Sequence, residues 1–350
     1  ANMDLTNLIT ELSKGFASFT WGNAVMILVG LILIFLAIVK EYEPVLLLPI
    51  GFGCLMANLG MSNQVGFMKV IYDAGISTEL FPLLIFIGVG AMIDFSPLLS
   101  QPSMVLLGAA GQFGIYGTLL LALALGFPLN QAASIGVIGA IDGPTAIFVG
   151  TKLAPEIVAP IAVAAYSYMS LIPIIQPPIM KLMTTRKERL IRMEYSPKPV
   201  SRLTLIIFPI LVTLLVALVA PDAAPLMAAL MLGNLLREAL VVERLSKMVQ
   251  NELINIATLF LGLAIGSTMT AESFLNWNTL AILGLGLLAF VIDTVAGLLF
   301  GKLMAVITHG KVNPLIGACG ISAFPMAGRL SAKMALEEDP SNFILMHAMG

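Results

Sequence analysis

Long uncharged apolar runs restrict this chain more than any other feature. Val25 to Val39, Thr204 to Pro221 and Asn276 to Ile292 contain no charged residue. Each approaches the roughly 20 residues that cross about 30 Å of hydrocarbon as a helix. Several such runs cannot all be hidden in one water-facing core. Only 11% of the residues are charged and 59% are hydrophobic, with mean hydropathy +0.99, whereas a soluble domain carries about a quarter charged residues. Lipid is therefore the outer solvent. In lipid, backbone N–H and C=O groups must find internal partners, which leaves helices and closed barrels. The ten-residue alternation of barrel strands is absent. The predicted fold class is all-α, a polytopic transmembrane bundle.

Smooth spans are predicted near 23–40, 44–59, 80–94, 103–127, 156–180, 203–220, 224–240, 252–269 and 278–305. The segment 60–78 is mixed and reads as interfacial. Seven of the 18 basic residues fall between Lys181 and Arg202, which places the 181–202 loop in the cytoplasm by the positive-inside rule. So short a loop between spans is a poor nucleic-acid surface, and no nucleic-acid partner is expected. Cys54 and Cys319 sit in apolar context and there are two histidines, so neither a disulfide framework nor a zinc or haem site is indicated. The amphipathic start, Asp4 to Phe16, is charged and lacks the apolar stretch of a signal peptide.

Two segments, 131–150 and 312–330, are apolar but interrupted by Gly and Pro, and read as broken or re-entrant helices. Landmarks also recur at a nearly constant offset. Asn58 and Asn234 lie 176 residues apart, Phe86 and Phe260 are separated by 174, and Gly139 and Gly317 by 178. This pattern suggests duplication of a unit of about 175 residues. Five spans per unit would give the two copies opposite membrane orientations, the inverted repeat of many transporters. The predicted organisation is an N-terminal repeat at 1–180, the basic loop at 181–202 and a C-terminal repeat at 203–350. The repeat predicts a final helix from about Ser341, of which about half would lie beyond Gly350.

The first broken segment reads Gly139-Ala-Ile-Asp142-Gly-Pro-Thr145. An Asp at membrane depth costs roughly 2.5–3.5 kcal/mol on insertion scales, so its presence calls for a partner. Gly143 and Pro144 break the helix beside it and free backbone carbonyls. A carboxylate, carbonyls and the Thr145 hydroxyl form a hard-oxygen set suited to a small cation such as sodium. The alternative is an Asp capping a helix at the interface. The second broken segment runs from Asn313-Pro through Gly317 and Ser322 to Arg329. Asn313 and Ser322 offer neutral oxygens. Arg329 brings a permanent charge that could pair with an acid or grip an anionic substrate, or simply extend from a helix end to the interface. Tyr166, Ser167 and Tyr168 place hydroxyls in the 156–180 span. Asp293 is another buried acid, with Tyr116 near its repeat-equivalent position, whereas Asp94 reads as a helix-end residue.

Taken together, the segments EPVLLLPIGFG, IFIGVGAMIDF, DGPTAIF, IAVAAYSYMSLIPIIQPPIMK, GNLLRE, ERLS, QNELINI, NPLIGACGIS and NFILMHAMG resemble the β subunit of the sodium-pumping biotin-dependent decarboxylases. That family includes the oxaloacetate, methylmalonyl-CoA and glutaconyl-CoA decarboxylases, and the resemblance covers almost the whole chain. It implies that Asp142, Tyr168 and Arg329 are catalytic. It further implies that Asp142, Tyr168, Asn313 and Ser322 contact sodium, beside the Thr145 hydroxyl read from the break itself, and that Arg329 and Gly317 meet carboxybiotin. Ile141 stands where relatives often have Ala, a change expected to be tolerated. The family pattern continues beyond His347-Ala-Met-Gly into Pro-Asn and a final helix.

What the resemblance implies is a multi-pass protein of the bacterial or archaeal cytoplasmic (inner) membrane. It would decarboxylate carboxybiotin on a biotin carrier and couple this to outward sodium transport. Its implied partners are a biotin carrier/carboxyltransferase subunit, a small single-span membrane subunit and further copies of itself. A secondary sodium/proton antiporter or citrate-type carrier shares the inverted repeat and the intramembrane Asp, but not the biotinylated partner. A passive membrane anchor for a soluble enzyme would need neither the buried Asp nor the Arg.

Overall fold

The computed structural model describes residues 5–194 and 198–350. Asp4 of the amphipathic start and residues 195–197 of the basic loop lie outside the described residues. The regular structure described is helical throughout. An exposed amphipathic helix α1 (Leu5–Ala17) buries no residue and precedes the bundle. Helix α2 (Trp21–Val39) starts where the Thr20 hydroxyl accepts the Asn23 N–H. Helix α3 (Pro44–Ala57) starts on a proline whose missing N–H costs nothing at that position. Then follow α4 (Gly66–Gly75), α5 (Leu80–Met92), α6 (Val105–Gly111), α7 (Phe113–Ala124), α8 (Leu129–Gly136), α9 (Gly143–Leu153), α10 (Val158–Ser170) and α11 (Ile172–Met183). The second half holds α12 (Arg202–Val219), α13 (Ala224–Ala239), α14 (Ile254–Gly266), the 31-residue α15 (Trp277–Ile307) and α16 (Phe324–Glu338).

Five helical stretches are long and apolar enough to cross a membrane: Trp21–Val39, Pro102–Ala124, Arg202–Val219, Glu243–Gly266 and Trp277–Ile307. Two bent pairs extend this to as many as seven. One of them corrects the sequence reading. The smooth span expected at 156–180 is a pair, Pro155–Met169 and Ile172–Met183, bent by 63°, with Pro173 just after the break. A proline disfavours helical backbone in the residue before it and removes an N–H. The interfacial segment likewise forms α4, which meets α5 at 56°. The expected span at 252–269 starts earlier, at Glu243, and includes a π-helical stretch at Val249–Leu253. Helix α12 buries only Pro209 and exposes Leu211, Leu214, Leu215 and Leu218, an apolar surface that belongs in lipid.

The helices of the two halves interlock. Helix α3 packs on α14, and α5 packs on α13. These pairs match one another under the sequence offset, and so do their polar ties. The Asn58 amide donates to the Met269 carbonyl at 2.8 Å, beyond the end of α14. The Asn234 amide donates to the Ile93 carbonyl at 2.9 Å, at the end of α5. Donors and acceptors are each 176 residues apart. Each Asn satisfies a carbonyl that a helix end in lipid would otherwise leave bare.

The broken segments also share one construction. In the first, α8 tightens into a 3-10 turn at Val137–Ala140, the chain breaks at Ile141 and Asp142, and α9 begins with Pro144 in its first turn. In the second, a 3-10 turn at Pro314–Cys319 leads through Gly320–Ala323 into α16, with Pro325 in its first turn. Both turns lie against α15. At Gly139 an added Cβ would overlap the backbone of Gly114 on α7, and at Gly317 it would overlap that of Gly297 on α15. Only glycine permits such close backbone approach.

Candidate functional site

The two breaks meet. The Ser322 N–H donates to the Ala140 carbonyl at 3.5 Å, bringing the second break beside the 3-10 turn that precedes Asp142. Thr145 donates its hydroxyl to Asp142 Oδ2 at 2.5 Å, and the Ser322 hydroxyl comes within hydrogen-bonding reach of the same carboxylate. Asp142 occupies the N-cap position of α9, so the positive end of the helix dipole faces its charge. The C-terminal end of the 3-10 turn meanwhile presents carbonyls to the same place. Carboxylate, hydroxyls and carbonyls together make a hard-oxygen set of the kind that holds small cations.

Backbone strain marks this spot. Ile141, directly before Asp142, has φ = 54°, a left-handed conformation that a β-branched residue adopts at a cost of order 1–3 kcal/mol. Its side chain is fully buried, so packing holds the strain in place.

Asp142 is half-buried, and it faces a cavity of about 730 Å³ between α5, α6 and both breaks. Asp142, Ser322, Asp293, Asp94, Cys319, Gln112 and His347 are among its chemically active lining groups. The rest of the wall is largely apolar, and among the described residues no Lys or Arg lines it.

The other expected site residues are placed as follows. Tyr168 lies on α10 but points at α15, donating its hydroxyl to the Leu283 carbonyl at 2.6 Å with its ring edge-on to Phe290. Asn313 is fully buried and committed elsewhere. Its amide nitrogen donates to the Arg189 and Ile191 carbonyls at 3.1 and 3.0 Å, and its Oδ1 accepts the Leu315 N–H. In this conformation it caps the second 3-10 turn and ties it to the basic loop. Gly317 makes the close contact with α15 described above. Arg329 is exposed on α16, in a shallow groove with Lys333, Glu337 and Leu345. It lies five residues into the helix, roughly 8 Å along its axis from Phe324.

One residue that the sequence singled out without a site role is a neighbour of Asp142. Tyr166, two residues before Tyr168, lays its ring on Gly143, where an added Cβ would collide with it. Asp293, named only as a buried acid, proves to line the same cavity, and its partner is the Gly114 N–H. Asp94 is a helix-end residue as expected, accepting the Ser96 N–H and facing Arg237 at 3.8 Å.

At the far end of α16, the basic loop is clamped. Arg189 reaches Glu338 at 2.9 Å, Arg186 reaches it at 3.2 Å, and Arg192 reaches Asp339 at 2.7 Å. The Arg189 hydrogen bond holds Glu338 below the usual carboxylate range. Asp339 is lowered by the Ser341 N–H and by Arg192.

Comparison with known proteins gives a consistent picture. The family model described as "Na+-transporting oxaloacetate decarboxylase beta subunit" matches residues 22–350. The methylmalonyl-CoA decarboxylase subunit beta of Veillonella parvula is 54% identical over 337 residues, covering 96% of this chain and 90% of its own length. The glutaconyl-CoA decarboxylase subunit beta of Acidaminococcus fermentans is 51% identical over 349 residues, covering 99% and 92%. The oxaloacetate decarboxylase beta chain of Klebsiella pneumoniae is 48% identical over 393 residues, covering 94% and 90%.

Proposed function

The chain belongs to the family of Na+-transporting oxaloacetate decarboxylase beta subunits, and from that premise we propose that it cleaves carboxybiotin on a partner subunit while carrying Na+ outward across the cytoplasmic membrane. It functions as the beta subunit of a Na+-transporting decarboxylase. The three relatives compared are named for three different acids at 54, 51 and 48% identity. A subunit so similar across them performs a step they share, after the acid has given up its carboxyl group.

Asp142 is the Na+ ligand that brings charge to the site, with Thr145, Ser322 and the carbonyls of the break completing the oxygens. The observation that carries this reading is the meeting of both helix breaks at Asp142, in a cavity whose described lining includes no fixed positive charge. An unpaired carboxylate at that depth is costly, so a mobile cation is its natural counter-charge. Tyr168, Asn313 and Gly317 belong to the proposed machinery through the elements they hold. Asn313 and Gly317 fix the second broken segment, and Tyr168 fixes α10 against α15. Movement of these segments would exchange their bonds and open the Na+ site to the other side.

Arg329, in the second turn of α16 and nearer the break than the basic loop, grips the carboxylate of carboxybiotin, with Lys333 one turn away. The carbamate C–N bond then breaks, CO2 leaves, and the ring nitrogen takes a proton. Each Na+ exported against 100 mV costs about 2.3 kcal/mol before any concentration term.

Purified from its membrane, the protein should bring a biotinylated subunit with it. In vesicles the complex should release CO2 only when Na+ is present, and avidin should stop both release and transport. Avidin-insensitive Na+ transport by the intact complex would defeat the proposal.

A further inference from the structure

Asp293 is a carboxyl in the cavity wall to which the proposed function gives no role. It sits in the middle of α15, is 2% exposed, and lines the same space as Asp142. Its Oδ1 accepts the Gly114 N–H at 2.8 Å. That donor exists because the span Pro102–Ala124 breaks at Gln112, leaving the first N–H groups of α7 without helical partners. This contact fully accounts for one oxygen. The other, Oδ2, is buried without a hydrogen-bond partner.

A cap alone does not require an acid. An Asn would supply the same acceptor at a lower cost of removal from water. The second oxygen is the feature left over, and it sits where ionisation is hardest to balance. Asp293 makes no ion pair among the described residues, and the cavity's other titratable lining groups are Asp94, Asp142, Cys319 and His347. None of these carries a permanent positive charge, and Asp94 already faces Arg237. The elements packed on α15 bring Gly114 from α7, Tyr168 from α10, Gln176 from α11 and Cys319 from the second 3-10 turn. Two carboxylates in one largely apolar space cannot both stay charged without two cations. The oxygen set around Asp142 suits Na+, whereas Asp293 offers a single open oxygen with no hydroxyl beside it among the bonds described. One atom can hold a proton but makes a poor cage for a metal ion.

We propose that Asp293 is a proton-binding site in the wall of this cavity, separate from the Na+ site at Asp142, and that it supplies the proton consumed when carboxybiotin loses CO2. The inference rests on the decarboxylase reading above. In the step, the carbamate C–N bond breaks with its electron pair staying on the biotin nitrogen. The Oδ2 proton passes through water from the cavity, past the start of α16, to the nitrogen of the carboxybiotin held by Arg329. Asp293 is left ionised, to be reprotonated from solvent before the next turnover.

The test uses the intact complex in lipid and three variants, with two readouts. Difference infrared spectroscopy should show the C=O band of a protonated carboxylic acid in saturating Na+. Asp293→Asn should remove that band, and Asp142→Asn should leave it. Asp293→Asn keeps the acceptor for Gly114, so half-saturating Na+ should stay within about twofold while turnover falls about 10²-fold, the scale of a lost proton-transfer group. Asp293→Glu, which restores an acid, should recover part of the turnover and shift the pH profile. An unchanged band in Asp293→Asn, or wild-type turnover with an unaltered pH profile, overturns the proposal. So does a loss of Na+ affinity shared by the Asn and Glu variants, which would mark a structural role. Avidin-insensitive transport would instead sink the decarboxylase reading, so the two failures are distinguishable.

Discussion

Asp142 is surrounded by groups that favour a bound cation over an empty charge: the Thr145 and Ser322 hydroxyls, the start of α9 and the carbonyls of the break. Asp142→Asn keeps the shape and removes the charge. It should abolish CO2 release and Na+ transport together, while the complex still assembles, as followed by substrate-driven uptake of labelled Na+. Ser322→Ala and Thr145→Val each remove one oxygen of several. They should raise half-saturating Na+ roughly tenfold, the effect of about 1.4 kcal/mol, as read from Na+ titration of turnover. At this scale the sequence was legible where chemistry and breakage coincide. An Asp before Gly-Pro inside an apolar run announces itself, and Ser322 follows from the second Pro-interrupted run. The choice between Tyr166 and Tyr168 was not legible, because residues two apart on a helix face different sides and tertiary packing decides which meets the site. Asn313 carried a signal that was read too chemically: an Asn directly before Pro314 is also a helix N-cap, and that is the bond it makes here.

Among the elements, the two Asn ties and the two glycine contacts show how the halves are joined. Asn58→Ala and Asn234→Ala each strip a buried carbonyl of its donor. Each should lower stability by about 1–3 kcal/mol, by similar amounts, as measured by thermal unfolding in detergent. Unequal effects would argue against equivalent roles. Gly317→Ala forces a Cβ into the backbone of Gly297 and should undock the second broken segment. Turnover should then collapse at any Na+ concentration, unlike the effect of Ser322→Ala, which added Na+ should relieve. The offset of about 175 residues makes these pairings readable in outline from the sequence alone. The bend in the 156–180 span was missed because apolarity averages smoothly across it. Pro173, Pro177 and Pro178 were visible, but an apolar run alone does not say whether neighbouring helices will satisfy the groups that a proline frees.

For the molecule as a whole, the basic loop and the far end of α16 act as one unit. Glu338 and Asp339 are held below their ordinary range by arginines and a backbone N–H. Lowered carboxylates contribute stability above their unfolded values, near pH 4, and lose it as pH falls through the lower folded values. The clamp should therefore survive from pH 7 to pH 5 and fail only in stronger acid. Being exposed, it should also weaken in high salt. Limited trypsin digestion between Lys181 and Arg202 reads both effects, and Glu338→Gln should speed cleavage already at pH 7. The central claim is that one intramembrane acid joins Na+ movement to carboxybiotin cleavage, and it is tested most directly by reconstituting the complete complex in vesicles and following labelled Na+ and CO2 together. Wild type should accumulate Na+ in proportion to CO2 released, and Asp142→Asn should do neither. Continued Na+-stimulated CO2 release by Asp142→Asn would contradict the account.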